Sequence, residues 1–224
     1  MSTMDWIVKV GGSLFPENAV KLVKAISEST EEKLMIICGG GSFANQIRDY
    51  DSQMKFSATA NHESAIMCMD IIGRLLADKI PDAEAVYDLN SAKSLANENK
   101  IPILLPSRLM HYLDPLEHSW NVTSDSISFY IAHLLQAKLL IATDVDGIYT
   151  RIPSAKDAKL INEISAKKLL SFGETSIDTS LSELLIEFGS NCYIVNGKYP
   201  ERTLSIINAC VDVDNTQYTL VRGD

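Results

Sequence analysis

The segment WIVKVGGSLF, residues 6–15, places one lysine inside an apolar run and follows it with two glycines and a serine. Lys9 would bring a positive charge to the end of a predicted strand, where the glycines let the backbone turn and approach a ligand closely. The amides of such a turn, together with the N-terminus of the next helix, bind anions. The segment therefore predicts an anion site. The alternative is an edge-strand lysine whose ammonium group extends into solvent.

A second segment, IICGGGSFA at residues 36–44, repeats the order of apolar strand, glycines, serine and helix. Either turn alone could simply end a buried strand. Both together, with Lys9 at the first, favour phosphate chemistry with two phosphorylated ligands at one end of a sheet. The common nucleotide motifs GxxxxGK[ST] and GxGxxG after a strand are absent, so neither of those nucleotide-binding loops is expected.

A third segment, LLIATDVDGIYT at residues 139–150, is an apolar strand that ends in a threonine, two aspartates and a glycine. Carboxylates at the carboxyl end of a strand lie where α/β sheets bind ligands. A simple Asx turn is the alternative. A Ca²⁺ loop is disfavoured because the twelve-residue ligand spacing does not continue.

The composition limits the class of protein. With 224 residues, 46% of them hydrophobic, the chain can bury a core as one large domain or two small ones. A formal net charge of −9 argues against nucleic acid as a partner. No signal peptide or membrane span is expected, and a cytoplasmic location is predicted. The four cysteines form no CxxC pair and the histidines no HxxxH pair, so we expect reduced, buried thiols and no metal cluster.

Short β-rich runs alternate with helical patterns along the chain, which predicts an α/β fold with one continuous, mainly parallel sheet. Runs that are apolar on both faces predict buried strands at residues 7–10, 34–38, 103–105, 139–143 and 192–195. Helical spacing of apolar residues predicts helices at 19–27, 63–79, 91–99, 126–136 and 180–188. Residues 217–222 predict a last strand that pairs antiparallel at an edge.

Four motifs occur in an order that resembles the amino acid kinase superfamily: KVGGS from Lys9, the triple glycine, TSDS from Thr123 and TDVDGIYT from Thr143. The resemblance covers about residues 5–200. It implies a three-layer αβα sandwich and a single domain over residues 1–224. Residues 1–135 would form the acceptor side with the catalytic lysine, and residues 136–224 the nucleotide side. It also implies ATP, Mg²⁺ carried mainly by the ATP phosphates, a small-molecule phosphate substrate, and a homodimer or higher homo-oligomer.

The resemblance also implies roles for individual residues. Lys9 would stabilise the transferring phosphate, and Asp125 would orient groups around it; a helix N-cap is the alternative for Asp125. The residues that would bind the nucleotide are Gly11, Gly12, Ser13, Thr143, Asp144, Asp146, Gly147, Tyr149 and Lys159. The residues that would bind the acceptor are Gly39, Gly40, Gly41, Asn45, Arg48, Asn121 and Thr123. Arg48 is the candidate for gripping an acceptor phosphate, and a solvated helix-face arginine is its alternative.

Within the superfamily, the segments HSWNVTSDSIS, GGGSFANQIRDYD and HESAIMCMD are similar to the kinases of aminomethylfuran-methyl phosphate in methanofuran biosynthesis. Many members carry a second catalytic lysine before the last helix, but residues 173–189 contain no lysine or arginine. The candidates for replacing that charge are Lys159 and Lys198, and Asp178 is a candidate for holding a magnesium-bound water. Uridylate kinase and a non-catalytic nucleotide sensor remain alternatives. Isopentenyl phosphate kinase is less favoured, because Ala44 and Asn45 stand where that branch has a histidine, and acetylglutamate kinase is disfavoured.

Overall fold

A computed structural model describes residues 4–151, 154–172, 177–209 and 216–224. Strands and helices alternate along most of the chain. The strands are β1 Trp6–Val10, β2 Leu34–Cys38, β3 Ala83–Val86, β4 Ile101–Leu104, β5 Lys138–Thr143, β6 Ile148–Tyr149, β7 Leu160–Ile161, β8 Glu163–Ser165, β9 Cys192–Asn196 and β10 Tyr218–Arg222. The helices are α1 Glu17–Ser29, α2 Gly41–Met54, α3 Ala58–Ala77, α4 Leu89–Asn97, α5 Ser107–Leu113, α6 Ser124–Leu135, α7 Ala166–Leu170, α8 Thr179–Phe188 and α9 Pro200–Ile207, with a 3-10 turn at Gly12–Leu14.

The central sheet has eight strands in the order β3-β4-β2-β1-β5-β9-β10-β8. All neighbouring pairs are parallel except β9 and β10, so the predicted α/β fold with a mainly parallel sheet is confirmed. Strand β1 lies inside the sheet between β2 and β5. The carboxyl ends of β1, β2 and β5 therefore meet at one edge, and the three motifs that follow them come together there.

The two faces of β1 pack into different cores because side chains alternate along a strand. Ile7 joins a cluster formed mainly with α4, α6 and α8, whereas Trp6, Val8 and Val10 join a cluster formed mainly with α1 and α9. Helix α3 contributes to both clusters. Helices thus cover both faces of the sheet, as the three-layer prediction requires, and Lys9 lies on the same face as Ile7.

The sheet differs from the sequence prediction at its two edges. Strand β3, which forms one edge, was not predicted because its half-exposed residues lack the continuous apolar run of a buried strand. The antiparallel pairing of the last strand is confirmed, but its edge position is wrong, because β8 lies outside it. Strand β8 has three residues, which is too short for a recognisable pattern, and an ion pair between Arg222 and Glu163 at 2.6 Å supports the pairing.

The two glycine turns touch each other through their backbones. A Cβ atom added to Gly12 would lie 2.3 Å from the backbone nitrogen and Cα of Gly41. The Gly39 amide donates a hydrogen bond of 2.8 Å to the Val10 carbonyl, which joins the second turn to the end of β1. Gly41 also has a φ of 55°, a left-handed conformation that favours glycine. Close approach of two backbones, rather than turn formation alone, explains why glycine occupies these positions.

Two predictions drawn from composition can be compared with the described residues. Cys38, Cys68 and Cys192 are buried and form no disulfide, as predicted; Cys210 lies outside the described residues. Burial raises the pKa of the Cys38 thiol to about 12, which keeps it protonated and unreactive near neutral pH. Within the described ranges, no helix combines the length and apolar character needed to cross a membrane.

Replacing Gly12 by alanine should separate the two turns, because its Cβ would overlap the Gly41 backbone. We expect a loss of about 1–3 kcal/mol in the free energy of unfolding, as is typical of overpacking. Amide hydrogen exchange at Gly39 should become faster, since its bond to Val10 depends on the same contact.

Gly189→Ala is the control, because no atom lies within 4 Å of a Cβ added to Gly189, although this glycine, unlike Gly12, has a positive φ of 57°. It should lose roughly 1–2 kcal/mol from backbone strain and leave exchange at Gly39 unchanged. Unaltered exchange at Gly39 in Gly12→Ala would contradict the proposed packing of the turns.

Candidate active site

A buried ion pair joins the centre of the sheet to α6. Lys9 Nζ lies 2.6 Å from Asp125 Oδ1, and the two side chains are 10% and 7% exposed. Lys9 pairs in register with Ile37 on β2 and Ile141 on β5, so it belongs to an interior strand. The alternative of an edge-strand lysine reaching into solvent is therefore wrong.

Asp125 lies in the first turn of α6 rather than at its N-cap. The N-cap is Thr123, whose hydroxyl accepts a hydrogen bond from the Asp125 amide at 3.3 Å. Burial raises the pKa of the Asp125 carboxyl, and the charge of Lys9 acts in the opposite direction. Oδ1 is buried, and the Lys9 ammonium is the charged group that faces it. The ion pair is thus what compensates this buried oxygen.

Asp178 holds the N-terminus of α6 against the N-terminus of α8. Its carboxylate accepts hydrogen bonds from the Thr123 amide at 2.9 Å and hydroxyl at 2.7 Å, and from the amide and hydroxyl of Ser126. It also caps α8 by accepting from the Leu181 amide at 2.6 Å. Five hydrogen bonds occupy a group with about four lone-pair positions. Asp178 therefore fixes the position of the helix that carries Asp125.

A cavity of about 530 Å³, called the main cavity below, opens beside this pair. Residues that flank the pair in sequence line it: Gly12 and Ser13 follow Lys9, and Thr123 and Ser124 precede Asp125. The predicted acceptor residues Gly39, Gly40, Gly41, Asn45 and Arg48 also line it. The N-terminus of α2 faces the same space, and its first amides have no acceptor within the helix. The main cavity thus combines the backbone amides of the Gly12–Ser13 turn and of the first turn of α2 with the guanidinium group of Arg48.

Arg48 is exposed on α2 and is held by an aromatic ring. Its guanidinium carbon lies 4.7 Å from the centre of the Trp120 ring, and the Trp120 indole donates to Asp51 Oδ2 at 3.0 Å. Arg48 forms no ion pair with a described carboxylate. An arginine held in place by stacking, with its donors uncommitted, is suited to a bidentate grip on an anion.

Two residues that were predicted to bind ligands, Gly11 and Asn121, do not line the main cavity. The Gly11 amide donates to the Ala142 carbonyl at 2.8 Å, so it extends the sheet and is not free for a phosphate. The amides of Gly12 and Ser13 have no such partner among the described residues. Asn121 does not line the main cavity, and its amide contacts the Ser119 hydroxyl at 3.3 Å.

The loop after β5 is stabilised by its own acidic side chain. Asp146 accepts hydrogen bonds from Asn196 at 3.0 Å, Arg202 at 2.6 Å and the Tyr149 hydroxyl at 3.1 Å. Partial burial favours a higher pKa for Asp146, but these hydrogen bonds outweigh it and hold the pKa below its usual value. Asp146 and Tyr149 therefore shape the loop. Gly147 is required there, because an added Cβ would lie 2.4 Å from the Thr219 hydroxyl oxygen.

The remaining predicted nucleotide residues lie at the surface of this region. Thr143 ends β5, and Asp144 is exposed beside Lys198, whose ammonium donates to the Asp144 carbonyl at 3.3 Å. Lys159 is exposed, and its backbone pairs with Thr150. Across the described residues, no group of three or more His, Cys, Asp or Glu side chains is arranged to hold a metal ion.

Two residues of the site were not singled out from the sequence. Trp120 supports Arg48, and His62 on α3 lines the main cavity. His62 lies in the segment of residues 49–62 and Trp120 in the segment of residues 105–120, and sequence patterns do not specify the conformations of these segments. The local sequence around His62 reads as an ordinary amphipathic helix, so no signal marks that ring.

Comparison with known proteins gives a consistent set of relatives. A model of the amino acid kinase family matches residues 4–196. A (5-(aminomethyl)furan-3-yl)methyl phosphate kinase of Methanocaldococcus jannaschii is 42% identical over 207 residues, covering 90% of this chain and 92% of the relative. A uridylate kinase of Methanococcus maripaludis strain C5 is 25% identical over 231 residues, covering 92% and 96%.

Solved structures share the fold at lower identity. The UMP kinase of Bacillus anthracis superimposes with a TM-score of 0.75 at 14% identity, covering all of this chain and 98% of that one. The uridylate kinase of Archaeoglobus fulgidus gives 0.71 at 18% identity, covering 97% and 100%. The architecture is therefore common to these proteins although most side chains differ.

A double-mutant cycle tests the buried ion pair. Lys9→Met or Asp125→Asn alone should each lower the free energy of unfolding by about 3–5 kcal/mol, because each leaves a buried charge without its partner. The double variant should lose less than the sum of the two. Urea denaturation measures all three. Lys79→Met, which removes an exposed ion pair with Asp78 at 2.9 Å, should cost less than about 1 kcal/mol.

The pH dependence of the same variants follows from the raised pKa of Asp125. The folded protein binds the proton of the Asp125 carboxyl more tightly than the unfolded chain does. Protonation of Asp125 therefore contributes fully to the free energy of unfolding below about pH 4, and this contribution is lost as the pH rises through the folded pKa. Lys9→Met removes the positive charge that opposes the upward shift in the pKa of Asp125. The stability difference between wild type and Lys9→Met should therefore shrink as the pH falls from 7 towards 5. A difference that grows would contradict the assignment.

Proposed function

This chain belongs to the amino acid kinase family, and we propose that it transfers the γ-phosphoryl group of ATP to the phosphate of a small monoester. The acceptor that we favour is (5-(aminomethyl)furan-3-yl)methyl phosphate, which would give a diphosphate for methanofuran biosynthesis. The observation that carries the proposal is the main cavity, where a buried Lys9–Asp125 pair lies next to two glycine turns and an uncommitted arginine.

The choice of acceptor rests on the relatives together with the charge of the cavity. The Methanocaldococcus jannaschii protein named for this acceptor is 42% identical over nearly the whole length of both chains. The uridylate kinases are near 25% identical and also act, by their name, on a phosphate. Arg48 supplies the positive group that a phosphate acceptor of either kind needs. UMP is therefore the second candidate acceptor.

ATP fits the carboxyl edge of the sheet. The Gly12 and Ser13 amides follow β1 at that edge, line the main cavity and have no hydrogen-bond partner among the described residues. The nucleotide side would be formed by Thr143, Asp144 and the loop shaped by Asp146, with residues 136–224 as a whole as the nucleotide half. Mg²⁺ would be carried mainly by ATP phosphates, whose charge it would neutralise.

The residues of this chain would act by position and charge. The Lys9 ammonium is held by Asp125 at 2.6 Å, and the Gly12 and Ser13 residues follow Lys9 in the chain at the end of β1. The ammonium would stabilise negative charge that builds on the transferring group. Because the pair is buried, its field is screened weakly by solvent. Arg48 would hold the acceptor phosphate in line, so orientation is provided before reaction.

The family's second lysine has one favoured replacement among the described residues. Lys198 is held at the loop after β5 by the Asp144 carbonyl, and its ammonium lies 4.0 Å from the Asp144 carboxylate. Asp178 is a poor candidate for a magnesium-bound water, because hydrogen bonds already occupy its oxygens. We assign the missing charge to Lys198. A homodimer and a cytoplasmic location remain predictions.

A coupled assay of ADP release tests the function. The purified protein should release ADP with the aminomethylfuran phosphate far faster than with UMP, isopentenyl phosphate or acetylglutamate. EDTA should stop the reaction and Mg²⁺ should restore it. Lys9→Met should lower kcat by at least about 10²-fold, the usual loss for one preorganised electrostatic contact, while changing equilibrium ATP binding much less. ATP binding without turnover on any acceptor would favour a nucleotide sensor instead.

Arg48→Ala tests the acceptor side separately. The acceptor KM should rise about 10- to 100-fold, as expected when a charge-assisted contact of about 1.5–3 kcal/mol is removed, with the ATP KM nearly unchanged. Arg74→Ala is the control, because Arg74 is exposed on α3, contacts Tyr87 and does not line the main cavity. Equal effects of Arg48→Ala on both substrates would place Arg48 elsewhere.

A further inference from the structure

A second, smaller cavity shares a wall with the main cavity. This side cavity has a volume of about 230 Å³ and lies between α3 and the segment that contains α5. His62 and Ile66 of α3 line both cavities. These two side chains therefore form a wall that the two cavities share, called the shared wall below.

The two cavities differ in charge. Arg48 lines the main cavity, and none of the described carboxylates does. Glu63 and Asp114 line the side cavity. Arg108 lies at its wall as well, but its guanidinium is placed over the Tyr87 ring, 5.4 Å from the ring centre. A ligand with opposite charges at its two ends would match this division.

Both carboxylates of the side cavity keep an uncommitted oxygen. Glu63 Oε1 contacts His111 Nδ1 at 3.0 Å, and Asp114 Oδ1 contacts His118 Nε2 at 2.7 Å. Oε2 of Glu63 and Oδ2 of Asp114 have no donor among the described residues. Two acceptor oxygens that carry negative charge are thus available to a cation.

His62 indicates that the shared wall is built for a ligand. Its side chain is 8% exposed, and neither ring nitrogen has a hydrogen-bond partner among the described residues. The ring stacks on His118, with centroids 4.6 Å apart, which fixes its plane. Burial, with a smaller contribution from His118, lowers the pKa of His62, so the neutral ring offers one nitrogen as an acceptor. Because the ring lines both cavities, that nitrogen is available to a ligand in either of them.

We propose that the side cavity binds a protonated primary amine of the acceptor, with Glu63 and Asp114 supplying the negative charge and His62 accepting a hydrogen bond from the amine or its neighbouring group. The inference rests on the proposed function and adds to it the residues that select the acceptor. The phosphate lies at Arg48 and the apolar middle of the acceptor passes Ile66. An acceptor without the amine would lose these charge-assisted contacts, and the site would therefore favour the amine.

The test compares two acceptors that differ in one group. The first is the aminomethylfuran phosphate, and the second is the same furan phosphate with methyl in place of aminomethyl. Wild type should prefer the amine in kcat/KM by at least about 10²-fold. Glu63→Gln and Asp114→Asn should each reduce that preference roughly 10-fold by lowering kcat/KM for the amine alone, from the usual strength of a charge-assisted contact. Glu117→Gln, an exposed acid of the same segment outside both cavities, should leave the preference unchanged.

His62→Phe tests the shared wall. Phenylalanine keeps the stacking surface towards His118 and removes the acceptor nitrogen, so kcat/KM should fall for the amine and stay within about twofold for the methyl analogue. A purely structural role would lower both values together and would remove His62 from the proposal.

The outcomes separate this inference from the function on which it rests. Equal kcat/KM for both furan phosphates in wild type, or a preference insensitive to Glu63→Gln and Asp114→Asn, would overturn the amine site and leave the kinase assignment standing. Absence of turnover with both furan phosphates would overturn the proposed acceptor, and the amine site with it.

Discussion

The buried pair of Lys9 and Asp125 is the constraint on which the rest of the architecture depends. Either charge alone in this interior would cost several kcal/mol, so the fold must bring both to the same point. One comes from the central strand and the other from the first turn of α6, more than a hundred residues later. The partly positive N-terminus of that helix also favours a carboxylate there. The packing of α6 on β1 is thus set by electrostatics as well as by apolar burial.

The contacts around the pair restrict its movement. Asp178 joins the starts of α6 and α8, and the backbone contact of Gly12 with Gly41 holds the two glycine turns at a fixed spacing. Phosphoryl transfer depends mostly on positioning and on charge that is already oriented, because the protein contributes little covalent chemistry. A network whose hydrogen bonds are formed before the substrates bind meets that requirement.

Charge is distributed over the acceptor region in a way that a simple phosphate site does not need. Arg48 stands on one side of the shared wall, and two carboxylates stand on the other. His62 lies between them with no polar partner among the described residues. In the proposed function, this arrangement would separate recognition of the phosphate from recognition of the rest of the acceptor.

The sequence by itself determined the fold class, the parallel sheet, Lys9, the two glycine turns and the loop after β5, because apolar periodicity and glycine turns are local properties of the chain. Tertiary structure decided the rest. It alone showed that Lys9 is buried against Asp125, that the Gly11 amide donates a hydrogen bond to strand β5, and that Trp120 supports Arg48. It also placed His62 between two cavities and β8 outside the last strand. Each of these contacts joins segments that lie far apart in the chain. They form only when helices and strands pack together, and no local sequence pattern specifies that packing.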